Sequence, residues 1–410
     1  MDDISREQGL IKNINLSQSQ IQHLVQLYSQ GYYNQALTEI NNLLITFPNS
    51  VILLNLQGAS YAGLKNYNAA ISSYHRAIEI KPNFAEAYNN KGVAEQNNGN
   101  LVSAIGSYQK AIKINPNYAE AYNNMGIALM NRGDLDAALE SYKRAIKINP
   151  NYAEAYNNKG SCLVRLNDIK SSIKSYKNAL KINLNYAEAY NNMGIALMNK
   201  GDFNKAILSI KKAIKINPNY AEAYNNMSLA FKNMKDFDRG ITNCKQAIDI
   251  NPNFREAYNN LGVLFYEARD FEAALNAYKK AIIIDKNYLE AHYNQGLVHT
   301  ELTQFFEAEK CYNKAISINP KFSKAHYSLG LTYQKRDKFK DAIDNYRQAI
   351  ILDPNYSDAF NNLGVSLQKL GNFEEAEACF RQAINIKPDY IECHSNLLYL
   401  ISISNFSHQN

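Results

Sequence analysis

The residues of this 410-residue chain whose types could do chemistry are seven histidines, five cysteines and a long series of asparagines. His292 and His299 stand seven apart, on one face of a helix, and His326 follows them. Such a set could ligate a metal or move a proton. Cys162, Cys244, Cys311, Cys379 and Cys393 are odd in number and far apart, and none forms a CxxC pair. They read as small helix-facing side chains in a reducing compartment, not as a disulfide framework or zinc set. The sequence contains no HExxH, GxSxG, Walker or GxGxxG pattern. Carboxylate pairs such as Glu374/Glu375 read as surface charge. No catalytic residue, metal site or cofactor is expected, and the chain reads as a non-enzyme.

The asparagines are the informative set. Asn90, Asn124, Asn158, Asn192, Asn226, Asn260, Asn294 and Asn362 are spaced by 34 residues or a multiple of it; Asn396 extends the row and Ser328 interrupts it. Asn89, Asn123, Asn157, Asn191, Asn225, Asn259 and Asn361 each precede a member of the row. Asparagine is a middling helix former, so its repetition in mid-helix needs a reason. One reading is a ladder of amides, each with donors and an acceptor, that grips a peptide main chain of any sequence. The other is copying, since residues 117–131 recur unchanged at 185–199.

The elements that would carry this row follow from the prolines. All nine (Pro48, Pro82, Pro116, Pro150, Pro218, Pro252, Pro320, Pro354 and Pro388) fall on the same 34-residue beat, whose two empty places are Leu184 and Lys286. A fixed period of this length means stacked supersecondary units, not one globular core. With proline as position 32, eleven units run without a gap from 17–50 to 357–390. Position 27 is alanine in ten of them; position 20 is alanine in nine and position 8 glycine in nine. Position 24 is mostly Tyr, and the asparagine row is position 6.

The repeat 119–152 shows the logic. Tyr122, Met125, Gly126 and Leu129 share one helix face. Gly133 supplies a left-handed stop, and Asp134 can cap a second helix. That helix carries Leu135, Ala138, Tyr142, Ala145 and Ile146 as its apolar stripe, and Asn149-Pro150 ends it. Asn151 with Glu154 reads as a capping box opening the next unit, a pairing repeated at Asn83/Glu86, Asn117/Glu120, Asn185/Glu188, Asn219/Glu222 and Asn253/Glu256. The small residues mark close helix contacts, and the aromatic at 24 is expected to fill the space between neighbouring units.

This pattern resembles the tetratricopeptide repeat (TPR), with Tyr88, Tyr122, Tyr156, Tyr190, Tyr224 and Tyr258 where that family usually has Trp. The resemblance implies an all-α fold, a right-handed superhelix of helix-turn-helix units. Helix A of each unit would line a concave groove and helix B the convex outside. Positions 2, 6, 9 and 13 would then face the groove, with Ile127, Met130, Ile195, Met198, Leu229, Val263 and Tyr266 beside the amides.

Net charge is +6, mild for an extended array, and lysines such as Lys110, Lys113, Lys143, Lys147, Lys211, Lys212 and Lys215 sit in helix B. Nucleic acid is not expected as a partner. The segment 1–16 reads as a tail with no signal or anchor, no run has the length of a membrane span, and the expected compartment is the cytoplasm. The His292, His299 and His326 set falls on packed positions 4, 11 and 4. The segment 391–410 reads as a capping helix and tail, or the start of a further domain, because Leu397, Leu398, Tyr399, Leu400, Ile401 and Ile403 make it unusually apolar.

The expected function is a non-catalytic scaffold that binds a peptide or protein segment in the groove without a small-molecule cofactor. Asn90, Asn124, Asn158, Asn192, Asn226, Asn260, Asn294 and Asn362 are the candidate contacts. The string His394-Ser395-Asn396-Leu397-Leu398-Tyr399 resembles the segment leaving the TPR arm of the O-linked N-acetylglucosamine transferase (SPINDLY-like) family. That resemblance implies the alternative of a substrate-recruiting arm whose catalytic domain is absent from this chain.

Overall fold

The computed structural model describes residues 16–407, with side chains through residue 402. The expected tail 1–16 therefore lies, Leu16 apart, outside the described residues, as do the side chain of Ile403 and residues 408–410. Among the described residues there are twenty-three α-helices, from α1 (Gln18–Ser29) to α23 (Ile391–Ser407), and no strand. They alternate as helix A and helix B of successive 34-residue units, and α23 is a further helix A. The chain divides into two units, Met1–Asp202 and Phe203–Asn410, at the turn between the A and B helices of the sixth repeat. Within each unit consecutive helices pack on one another, most extensively inside a repeat. Neighbouring A helices also touch, whereas neighbouring B helices do not meet among the described residues. Each unit therefore curves with its A helices inside.

Backbone chemistry sets both turns of the repeat. After every helix A, position 15 takes a left-handed conformation: Gly31, Gly99, Gly133, Gly201 and Gly371 do so, and so do Lys65, Asn167, Lys235, Arg269, Thr303 and Asp337. The next amide then bonds back five residues, as Asp134 N–H does to the Leu129 carbonyl at 2.9 Å, closing the Schellman geometry. After helix B, an asparagine or aspartate before position 32 makes the turn in eight of the eleven repeats. Asn149 ends its helix in extended backbone, and its Oδ1 accepts from the Asn151 amide at 3.1 Å. Asn183 makes the same bond at 3.0 Å although Leu184 replaces the proline. Asp285, before Lys286, makes it at 2.9 Å. The side-chain turn thus serves where the proline is missing, and the proline serves where Phe47, Lys81 and Lys387 replace the asparagine.

Two sequence expectations are corrected here. The Asn151/Glu154 type of pair forms no capping box: Tyr152 is the N-cap residue and makes no side-chain cap bond. The asparagine two residues earlier shapes the turn, and Glu154 is used elsewhere. Asp134 stands at its helix N-cap, but its carboxylate pairs with Arg132 instead of capping.

The aromatic at position 24 lies against the glycine of its own repeat and not primarily between units. A Cβ on Gly126 would stand 2.6 Å from Cε1 of Tyr142, and Gly92/Tyr108, Gly160/Tyr176 and Gly296/Tyr312 repeat this geometry at 2.5–2.6 Å. These rings are almost wholly buried, and burying each contributes roughly 1.5–3 kcal/mol. Where position 8 is Ser228, position 24 shrinks to Cys244, whose thiol donates to the serine hydroxyl at 3.1 Å.

Gly126→Ala is expected to cost about 1–3 kcal/mol through overpacking against Tyr142. Adding Tyr142→Cys should restore part of that loss, because it reproduces the Ser228/Cys244 solution. Urea midpoints of the two variants check this; a double variant less stable than Gly126→Ala alone would refute the pairing.

Candidate functional site

The asparagine row is built into a lattice between repeats. Take α7 (Ala119–Arg132) and α9 (Ala153–Arg165), the A helices of two neighbours. Asn123, wholly buried at position 5 of α7, donates from Nδ2 to Glu154 at 3.2 Å. Its Oδ1 accepts from Asn158 Nδ2 at 3.0 Å. One buried amide thus holds positions 2 and 6 of the next helix A, which stand one turn apart. Asn55 holds Glu86 at 2.9 Å and Asn90 at 3.2 Å. Asn89 holds Glu120 at 3.4 Å and Asn124 at 3.1 Å. Asn157 holds Glu188 at 3.0 Å and Asn192 at 3.1 Å. In the second unit Asn260 donates to Asn225 at 2.9 Å, Asn294 to Asn259 at 3.0 Å and Asn396 to Asn361 at 3.0 Å.

The exceptions obey the same rule. Where position 6 is Ser328, position 5 of the preceding repeat is Tyr293, whose longer side chain reaches it at 3.4 Å. Asn362 donates to the Tyr327 hydroxyl at 3.0 Å. Sequence reasoning noted the position-5 asparagines but did not count them among the candidate site residues. The signal was present, because Asn, Glu and Asn recur at offsets of 31 and 35 residues, and Tyr293 and Ser328 change together.

The eight candidate asparagines all lie half-buried on the A helices. For Asn124, Asn158 and Asn192 a single N–H is spent on the neighbouring repeat among the described bonds. The second N–H and the carbonyl remain. Beside them Ile127, Met130, Ile195, Met198, Leu229, Val263 and Tyr266 are also half-buried, which gives amide polarity next to apolar side chains. Burial, then Glu120 and Glu86, push the Tyr118 phenol up to about 12 despite a bond with Asn89. Tyr152 and Tyr186 are raised for the same reasons. These phenols stay protonated.

The histidines serve the turns. Nε2 of His292 lies 3.0 Å from the Lys286 carbonyl, that of His326 3.2 Å from Pro320 and that of His394 2.9 Å from Pro388. His299 faces Gln304 at 2.7 Å. No group of three or more metal-ligating side chains occurs among the described residues. Burial raises the thiols of Cys244, Cys311, Cys379 and Cys393 to about 11, far from nucleophilic use.

The lattice ranks its members. Asn157→Ala strands both Glu188 and Asn192, and is expected to cost about 2–3 kcal/mol against about 1–1.5 for Asn158→Ala. Denaturant midpoints of the two variants would show it, and equal losses would remove position 5 from its pivotal place.

A tetratricopeptide repeat model matches residues 119–152, 187–220, 256–288, 323–356 and 357–390. A second TPR model matches 58–99, 97–131, 160–201 and 299–337, and two further tetratricopeptide repeat models match 141–174 and 221–254. No curated protein matches the sequence. Among solved structures, the crystal structure of MamA is 28% identical, covers 39% of this chain and 94% of its own, and gives a TM-score of 0.37. That of YrrB, described as a TPR protein with an unusual peptide-binding site, is 22% identical, covers 46% and 96%, and gives 0.38. The matched repeats share the 34-residue register of the helices and together span well over half of the sequence: the chain belongs to the tetratricopeptide repeat family.

Proposed function

We propose that this chain is a non-catalytic scaffold that holds an extended peptide or protein segment along its A-helix face. The observation that carries the reading is the orientation of the position-6 amides. Asn124, Asn158 and Asn192 are each fixed by a buried asparagine of the preceding repeat, so the remaining donor and acceptor are presented with little rotamer entropy left to lose. An extended main chain offers alternating donors and acceptors to such a row, and the apolar positions beside it take side chains. No described helix is long and apolar enough to cross a membrane; the cytoplasm is the compartment that goes with this reading.

The lattice changes how the reading must be tested. Removing position-6 amides weakens the fold as well as the face, so loss of binding alone decides nothing. Peptides selected from a displayed random library should bind the wild type, and methylation of their alternate backbone nitrogens should weaken them by about tenfold or more, about 1.4 kcal/mol. The triple variant Asn124→Ala, Asn158→Ala, Asn192→Ala should lose them while keeping its helical circular dichroism. Peptides indifferent to both changes would leave the amides with a purely structural task.

A second reading makes the array the substrate-recruiting arm of an O-linked N-acetylglucosamine transferase-like enzyme. It is favoured by the His394–Tyr399 string, which opens α23 and leaves Leu398 69% and Tyr399 61% exposed. Blotting source cells with an antibody to the repeats separates the two. A band well above the mass of 410 residues supports the arm, and a band at that mass overturns it.

A further inference from the structure

The opposite face carries a feature that the groove reading does not use. Between α6 (Leu101–Ile114) and α8 (Leu135–Ile148), the B helices of adjacent repeats, lies an open depression of about 740 Å³. Val102, Ile105 and Met125 give it apolar lining, beside the charged Arg132, Glu140 and Arg144. Val102 is 70% exposed, an unusual position for valine on a helix with ample polar alternatives.

Gly106 is what opens it. Eight of the nine glycines at position 8, Gly126 among them, are required because a Cβ would collide with a ring. Those at position 15 are required by a positive φ. Gly106 has neither reason: it sits inside α6 with nothing within 4 Å of where a Cβ would be. The next two repeats place Glu140 and Lys174 at the same point. Glycine in a helix interior costs roughly 0.5–1 kcal/mol against alanine, and here no packing contact offsets it. Its effect is an uncovered apolar lining.

The B helices around the depression carry more cations than carboxylates, although Glu140 is itself part of the lining. Helix α6 carries Lys110 and Lys113 and no carboxylate, and α10 (Ile169–Ile182) carries four lysines and no carboxylate. On α8, Lys143, Arg144 and Lys147 face Asp136 and Glu140. Glu140 reaches Arg144 and Lys143 only at 3.6 Å, and Asp134 pairs with Arg132. Lys159, half-buried nearby, makes no ion pair among the described residues. Burial, then Lys143 and Lys174, lower its pKa.

We infer that this depression is a second docking site, for an acidic amphipathic helix of a partner protein. Leucine-like side chains would lie on Val102, Ile105 and Met125, and carboxylates would meet Arg132, Arg144 and the lysines beyond. A nucleic acid would use the cations but gain little from an apolar lining.

The probe is a fluorescein-labelled helical peptide with leucine at i, i+3, i+4 and i+7 and glutamate elsewhere, compared with its lysine counterpart and a single-stranded oligonucleotide. The full chain should bind the glutamate peptide and not the lysine one. Gly106→Gln fills the depression and favours the helix, so it should fold at least as well as the wild type while weakening the peptide by about tenfold or more. Arg144→Glu should weaken it comparably. Unchanged affinity in Gly106→Gln overturns the proposal, as does equal binding of the lysine peptide. It is also overturned if the oligonucleotide binds more tightly and is lost on Arg144→Glu. The peptide groove is untouched by these variants, so its fate is decided separately.

Discussion

In eight repeats an aromatic ring at position 24 lies across the bare backbone of a glycine at position 8. The contact is possible because glycine alone lacks the atom that would strike the ring. It fixes how closely helix B approaches helix A, and the alanines at positions 20 and 27, wholly buried where they occur as Ala138 and Ala145, fit the space that remains. A solenoid has no single core, so this local packing must be nearly self-sufficient in each unit. The repetition of one solution down the chain follows from that.

Joining units is a different problem, and polar groups solve it. Apolar surfaces between repeats leave their relative register weakly specified. A buried amide that must satisfy both its donor and its acceptor tolerates few geometries. Asn123, bound at once to Glu154 and Asn158, is such a group. The same lattice leaves a row of oriented amides on the face of the A helices, so a feature that stabilises the stack also shapes the surface on which we propose that a peptide lies.

The two faces of the first unit therefore differ in kind. The A face offers amides and apolar side chains beside the position-2 carboxylates Glu86, Glu120, Glu154 and Glu188. The B face offers lysines and arginines, and at Gly106 an apolar lining beside them. A scaffold with two chemically distinct faces can hold two partners without competition between them.

Period, turn positions and helix pairing were legible in the amino-acid row, because each depends on residues close in sequence: Gly133 for its left-handed φ, Asn149-Pro150 for a stop, Ala145 for close approach. The candidate asparagines were legible as a row, but their bonding was not. Asn151 and Glu154 look like a cap when only neighbours are considered, yet Glu154 spends its carboxylate on Asn123, 31 residues away. Likewise nothing local distinguishes Gly106 from the glycines that packing requires. Only the tertiary structure brings α6, α7 and α8 together and leaves the space beside it empty. What each segment prefers follows from its own residues; the stacking of one repeat on the next decided which side chain meets which, because those meetings depend on distances that close only when the chain folds.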